Sequence, residues 1–186
     1  MEFEGRERIE VRSGWGTRHT SPTYWAAAVT LQTDRMNSAH TDLVARMAVV
    51  DGLRPGERSD AVMAAFGRLR IETHFLLIAI RHVLRCYRRS LHRTSSRDVE
   101  AAGAAFDAHV PHAKAFRDVL EHIDEYEAGA GRLQANDSEA QKFGLRLDFD
   151  ANDPNGHVTL LLGKRSVPVK DAALAAIDLA DAIEAS

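Results

Sequence analysis

The stretch RIETHFLLIAIRHVLRCYRR, Arg70 to Arg89, decides how this chain folds. Ile71, Phe75 and Ile78, then Leu76, Ile80, Val83, Leu84 and Tyr87, recur at helical spacing. The dense apolar run 75–80 predicts a helix central to a bundle, over about Asp60 to His92. Its other face carries Arg81, Arg85, Arg88 and Arg89, at i, i+4, i+7 and i+8.

Working outward, Ser21-Pro22 opens an earlier helix, expected from Thr23 to Val50, with Trp25, Val29, Leu43, Val44 and Met47 on its apolar face. Asn37-Ser38 is the point at which a break in it is expected. The Gly- and Pro-bearing stretch DGLRPGERSD (51–60) reads as a loop. Downstream, Thr94-Ser95-Ser96 offers an N-cap for a third helix, Arg97 to Ala108. Pro111 opens a fourth, to Ala128, and Gly129-Ala130-Gly131 ends it. Past the polar linker 134–141 the period falls to two. Leu145, Leu147 and Phe149 alternate with Arg146, Asp148 and Asp150, as in a half-buried strand. A turn over 151–156, a returning strand over 157–162 and an Ala-rich helix from Asp171 to Ala185 complete the chain. The expected fold is mainly α: an N-terminal arm (1–20), a four-helix bundle (21–132) and a small ββα C-terminal appendage (140–186).

The 186 residues suffice for a domain with a sizeable core, and 45% hydrophobic and 27% charged content is ordinary for a globular protein. No apolar run suits a membrane span, and the charged N-terminus lacks the apolar region of a secretory signal. Cys86 is the single cysteine, which excludes an internal disulfide and a cysteine-built zinc site. A cytoplasmic protein is expected. The 20 Arg against 4 Lys, with abundant Ala, suggest a high-GC bacterial genome. The net charge of −3 conceals an asymmetry: 58–97 holds nine Arg and two acids, whereas 98–139 holds ten acids and three bases. A basic segment can be a footprint for phosphate, and two opposed segments can equally neutralise each other as neighbouring helices.

The expected fourth helix includes FRDVLEHIDEYEAG, with Phe116, Val119, Leu120, Ile123 and Tyr126 as its apolar stripe. Asp118, Glu121 and Glu125 fall on the opposite, solvated face, whereas Arg117 and His122 occupy the two shoulders of the stripe. Five Arg/His pairs in the chain have four to six intervening residues; only Arg117/His122 adds an acid, Asp118, directly after the Arg and lies on the fourth helix. Arg117-Asp118-Val-Leu-Glu-His122 resembles the R-x(4–6)-H signature of HEPN domains. These are four-helix bundles, often dimeric, many of them metal-independent ribonucleases.

The resemblance implies that Arg117 holds the scissile phosphate, that His122 is the general acid/base, and that Asp118 orients one of them. An imidazole, which titrates near neutral pH, suits that role. It also implies a homodimer with the two pairs facing each other, RNA as substrate, no metal or other cofactor, and a toxin or defence setting with an antitoxin-like protein partner. Arg81, Arg85, Arg88 and Arg89 are then the RNA-binding face, with Glu72, Glu121 and Tyr126 in support. Many toxin members carry Tyr two residues past the His, where this chain has Asp124. RDVLEHIDEYEAGAGRLQ also looks like a stretch in uncharacterised proteins of high-GC bacteria, which carries no function with it.

Other chemistries compete. A non-catalytic helical module would use the acidic fourth helix and the ββα tail as a protein-interaction surface. A metal site could join His74, His82 and His122, with Glu72 and Glu121, but the Glu-x-x-His spacing of dinuclear carboxylate bundles is missing. Asp148 to Gly156 resembles a calcium loop, yet Asp153 stands where that loop needs Gly and Thr159 where it needs Glu. Cys86, mid-helix, reads as a packing residue.

Overall fold

The computed structural model describes residues 21–49, 55–93, 96–112, 115–116, 122, 125, 130, 132, 146–150, 153, 156–162 and 165–186. Their fold is mainly α. In chain order the elements are α1 (Pro22–Val49), α2 (Pro55–Leu91), α3 (Arg97–His109), β1 (Arg146–Asp148), β2 (Thr159–Leu162), β3 (Arg165–Pro168) and α4 (Val169–Glu184).

α1 runs unbroken through Asn37 and Ser38, where a break was expected. Met36, Ala39, His40 and Leu43 on either side are all buried, so tertiary packing overrides the weak local propensity. Thr30 and Thr33 donate their hydroxyls to the carbonyls of Ala26 and Val29, at 3.1 and 2.8 Å, so these β-branched residues sit in the helix with their polar atoms satisfied. α2 begins within the stretch read as a loop. Pro55 serves in its first turn, where a missing N–H is no loss, and the helix extends over 37 residues. α1 packs against α2 with Trp25 stacked on His82, centroids 3.8 Å apart and ring planes 6° from parallel.

The faces that pack are not those the largest side chains would suggest. On α2 the buried residues include Leu69, Leu76, Leu77, Ile80, Val83 and Cys86, while Ile71 and Phe75 are 57% and 49% exposed. On α4 the core face is Val169, Ala172, Ala173, Ala176, Leu179 and Ala180, and Leu174 points to solvent. The alanine stripe allows close approach, and α4 packs on α1, α2 and α3 together. α3 in turn approaches α2 at Gly103, where any Cβ would collide with the ring of Tyr87.

The tail holds a strand more than the expected hairpin. β1, β2 and β3 form an antiparallel sheet in that order, with Leu147 opposite Leu160 and Leu160 opposite Val167. β3 had no alternating signature to announce it: four residues, one of them buried Val167, ending on a proline that an edge strand tolerates. Its ladder continues into the first residue of α4, where the Val169 N–H donates to the Val158 carbonyl at 3.0 Å. Val158, Leu160, Val167 and Val169 belong to the same hydrophobic cluster as the α1 and α2 residues, so sheet and helices share one core. The 1–20 arm and the 134–141 linker lie outside the described residues. No helix among the described residues is long and apolar enough to cross a membrane.

Candidate functional site

Of the expected fourth helix, Pro111 and His112 form a turn, and Ala115, Phe116 and Glu125 are helical. Phe116 is buried in the core, and its N–H donates to the His112 carbonyl at 3.0 Å. Ala130 N–H reaches back to the Glu125 carbonyl at 2.8 Å, the long closure typical of a helix C-terminus. Arg117, Asp118, Glu121 and Tyr126 lie outside the described residues, as does the geometry of the Arg117–His122 pair.

His122 is described. Its side chain is 48% exposed, and Nδ1 lies 3.2 Å from Oε1 of Glu125, itself 56% exposed. A carboxylate only accepts, so Nδ1 is the donor to Glu125, and in a neutral imidazole with that tautomer Nε2 is the acceptor. That is the tautomer a general base needs, held by a carboxylate in the way that orients catalytic histidines elsewhere. At such exposure the pair adds little to stability. Periodicity alone assigns Glu125 to the solvated face; the signal for its contact is the three-residue spacing from His122.

The four expected RNA-binding arginines separate into two groups. Arg81 is half-buried and engaged by other groups of the protein. Arg85, Arg88 and Arg89 are exposed, and Arg93 just past the helix end extends the patch. Among the described residues no carboxylate forms an ion pair with Arg85, Arg88, Arg89 or Arg93, although exposed Asp98, Glu100 and Asp107 are carried on α3. Cations in a last helical turn also complement the helix dipole, which accounts for Arg88 and Arg89. Arg85 and Arg93 fall outside that turn. Arg89 and Arg93 line a cleft of about 530 Å³ with Cys86, Pro22 at the start of α1, and Ile183 and Glu184 at the end of α4. Burial pushes the Cys86 thiol up, as expected of a packing residue, against the opposing pull of Arg89. Glu72 is half-buried 13 positions before Arg85, about 20 Å away along the helix axis.

The histidines considered for a metal have other surroundings. His82 stacks on Trp25, and burial, followed by Arg85, Arg81 and Arg89, lowers its pKa. His74 meets Phe75 edge-on, and burial lowers its pKa as well. No three His, Cys, Asp or Glu gather as a metal-binding group among the described residues. In the loop likened to a calcium site, Asp153 N–H donates to the Asp150 carbonyl and Gly156 N–H to that of Asp153, at 3.2 and 3.0 Å, as in successive turns.

His40 is 2% exposed beneath Phe149, its Nε2 has no hydrogen-bond partner, and burial lowers its pKa against the pull of Asp153. With His40, His74 and His82 all depressed from 6.5, the unfolded chain binds more protons than the native one below that pH. Their contribution to stability is complete above about pH 6.5 and declines as pH falls through the native pKa values, by at most about 1.4 kcal/mol per pH unit for each histidine. His40→Leu should leave stability at pH 7.5 unchanged or higher, and flatten the fall between about pH 6.5 and 5. Urea melts of both proteins across that range check this; equal slopes would refute it.

No protein-family model, curated protein or solved structure matches this chain.

Proposed function

We propose that this chain is a helical RNA-binding protein with metal-independent ribonuclease activity. The observation that carries the reading is the cluster of exposed arginines at the C-terminal end of α2, without carboxylate partners among the described residues. Four exposed guanidinium groups within nine residues, without an ion pair among the described residues, suit a phosphate backbone, which guanidinium forks grip in bidentate fashion. The HEPN-like pair supplies the chemistry. Arg117 holds the scissile phosphate, and Asp118 orients Arg117 or His122. His122, its Nδ1–H directed at Glu125, takes the proton of the 2′-hydroxyl through Nε2. The 2′-oxygen forms its bond to phosphorus as the bond to the 5′-oxygen breaks, and the imidazolium returns a proton to that leaving oxygen. The products are a 2′,3′-cyclic phosphate and a free 5′-hydroxyl. The same reading has two copies of the chain assembling with their pairs face to face, and an antitoxin-like protein as regulator.

Salt dependence tests the binding half. For a single-stranded RNA, log affinity falls with log salt at a slope of about −0.7 for each phosphate that the protein neutralises. Arg85→Gln/Arg88→Gln/Arg89→Gln should therefore flatten the slope by about 2 and weaken binding at physiological salt by at least about tenfold. Arg68→Gln, on the distant part of α2, is the control. Fluorescence anisotropy with a labelled oligonucleotide reads both quantities. A triple variant that binds like the parent removes this surface from the account.

A further inference from the structure

A second concavity lies on the opposite half of α2, far from the arginine cluster. It is a cleft of about 450 Å³ between α2 and the sheet, with Gly67, Ile71 and Phe75 on the helix side and Leu147 and Leu160 on the sheet side. Leu160 is fully buried and Leu147 partly so, which makes the recess apolar at depth.

Gly67 has no evident structural reason to be glycine. It sits inside a 37-residue helix, where glycine weakens the element. Among the described residues nothing lies within 4 Å of where its Cβ would stand. Gly103 is the contrast, since there the Tyr87 ring occupies the space. What the missing side chain at 67 does accomplish is to leave the cleft open. The rim is costly too: Ile71 and Phe75 each expose about half of their surface beside it, 57% and 49%. Few polar groups reach the cleft. The Thr73 hydroxyl is committed to the Leu69 carbonyl at 2.8 Å, and His74 is a neutral ring packed edge-on to Phe75. Arg70 brings the one fixed charge among the lining residues, is exposed, and has no carboxylate partner among the described residues.

We infer that this cleft binds a small acyl or aryl carboxylate, its apolar body between Ile71, Phe75 and the two sheet leucines and its carboxylate on Arg70. Volume and lining match a small-molecule site, apolar with a few orienting polar groups. The unpaired guanidinium selects an anion, through the bidentate geometry it offers a carboxylate. The site is independent of the RNA reading, because it uses neither Arg85, Arg88, Arg89 nor His122.

Decanoate is a suitable probe, with decanol as its neutral counterpart, titrated calorimetrically into the full chain. The expected result is saturable binding of one decanoate per chain, with decanol at least about tenfold weaker. Arg70→Gln should abolish that preference. Gly67→Leu should abolish binding of both without lowering the melting temperature, because the added side chain enters open space. Gly67→Ala, which favours the helix, should weaken binding while the fold is kept. Equal affinity of decanoate and decanol for the parent would overturn the anion assignment, and undiminished binding by both Gly67 variants would overturn the cleft itself. Light scattering on the same proteins covers the other occupant: a dimer that Gly67→Leu converts to monomer would make the cleft an interface between copies, against the inference.

Discussion

Leu179→Ala is expected to destabilise the whole chain by about 2–5 kcal/mol, a large part of the stability of any single domain. Leu179 is 1% exposed on a helix that packs against α1, α2 and α3 together. The surrounding face is largely alanine, already closely approached, so it has few side chains able to relax into the hole. For a chain of this size the loss corresponds to roughly 5–20 °C in melting temperature. Leu174→Ala, five positions earlier and 54% exposed, should stay within about 0.5 kcal/mol of the parent. Because sheet and helices share one core, thermal melts followed by circular dichroism should show a single transition that moves as a whole. Were the tail a separate unit, Leu179→Ala would move a minor transition and leave the helical one in place. That outcome would refute the shared core.

This contrast between two leucines of one helix also marks how far the chain could be read unaided. The existence and type of the elements follow from periodicity: the 3.6-residue recurrence across Leu76, Ile80 and Val83 and the alternation around Leu147 both correspond to observed elements. Which apolar residues face inward does not follow from it. On α4 the core face is largely an alanine stripe, closely approached by three other helices, while the larger Leu174 is exposed. On α2 the same ambiguity hid the exposed Ile71 and Phe75. Pro55 was legible as a helix breaker and is a helix starter, a distinction that depends on its position in the first turn. In the candidate site, His122 is exposed in a turn, and its contact with Glu125 was not legible from periodicity, which places Glu125 on the solvated face.

The largest functional effect is expected at His122. Its side chain is half exposed and its one described partner is an exposed carboxylate, so removal should leave the fold intact. Loss of a general acid/base costs about 10²–10⁴ in rate, far above any effect of the single surface ion pair on stability. Glu125→Gln should preserve RNA affinity, lower the rate less than His122→Ala does, and displace the pH–rate profile, as befits a positioning residue that acts through the imidazole. The direct measurement is single-turnover cleavage of a single-stranded RNA in EDTA, with the parent beside His122→Ala. The expected result is metal-free cleavage to a 2′,3′-cyclic phosphate by the parent, and a rate lower by at least about 10² in the variant at unchanged RNA affinity. Equal rates in the two proteins, or no cleavage by the parent, would contradict it.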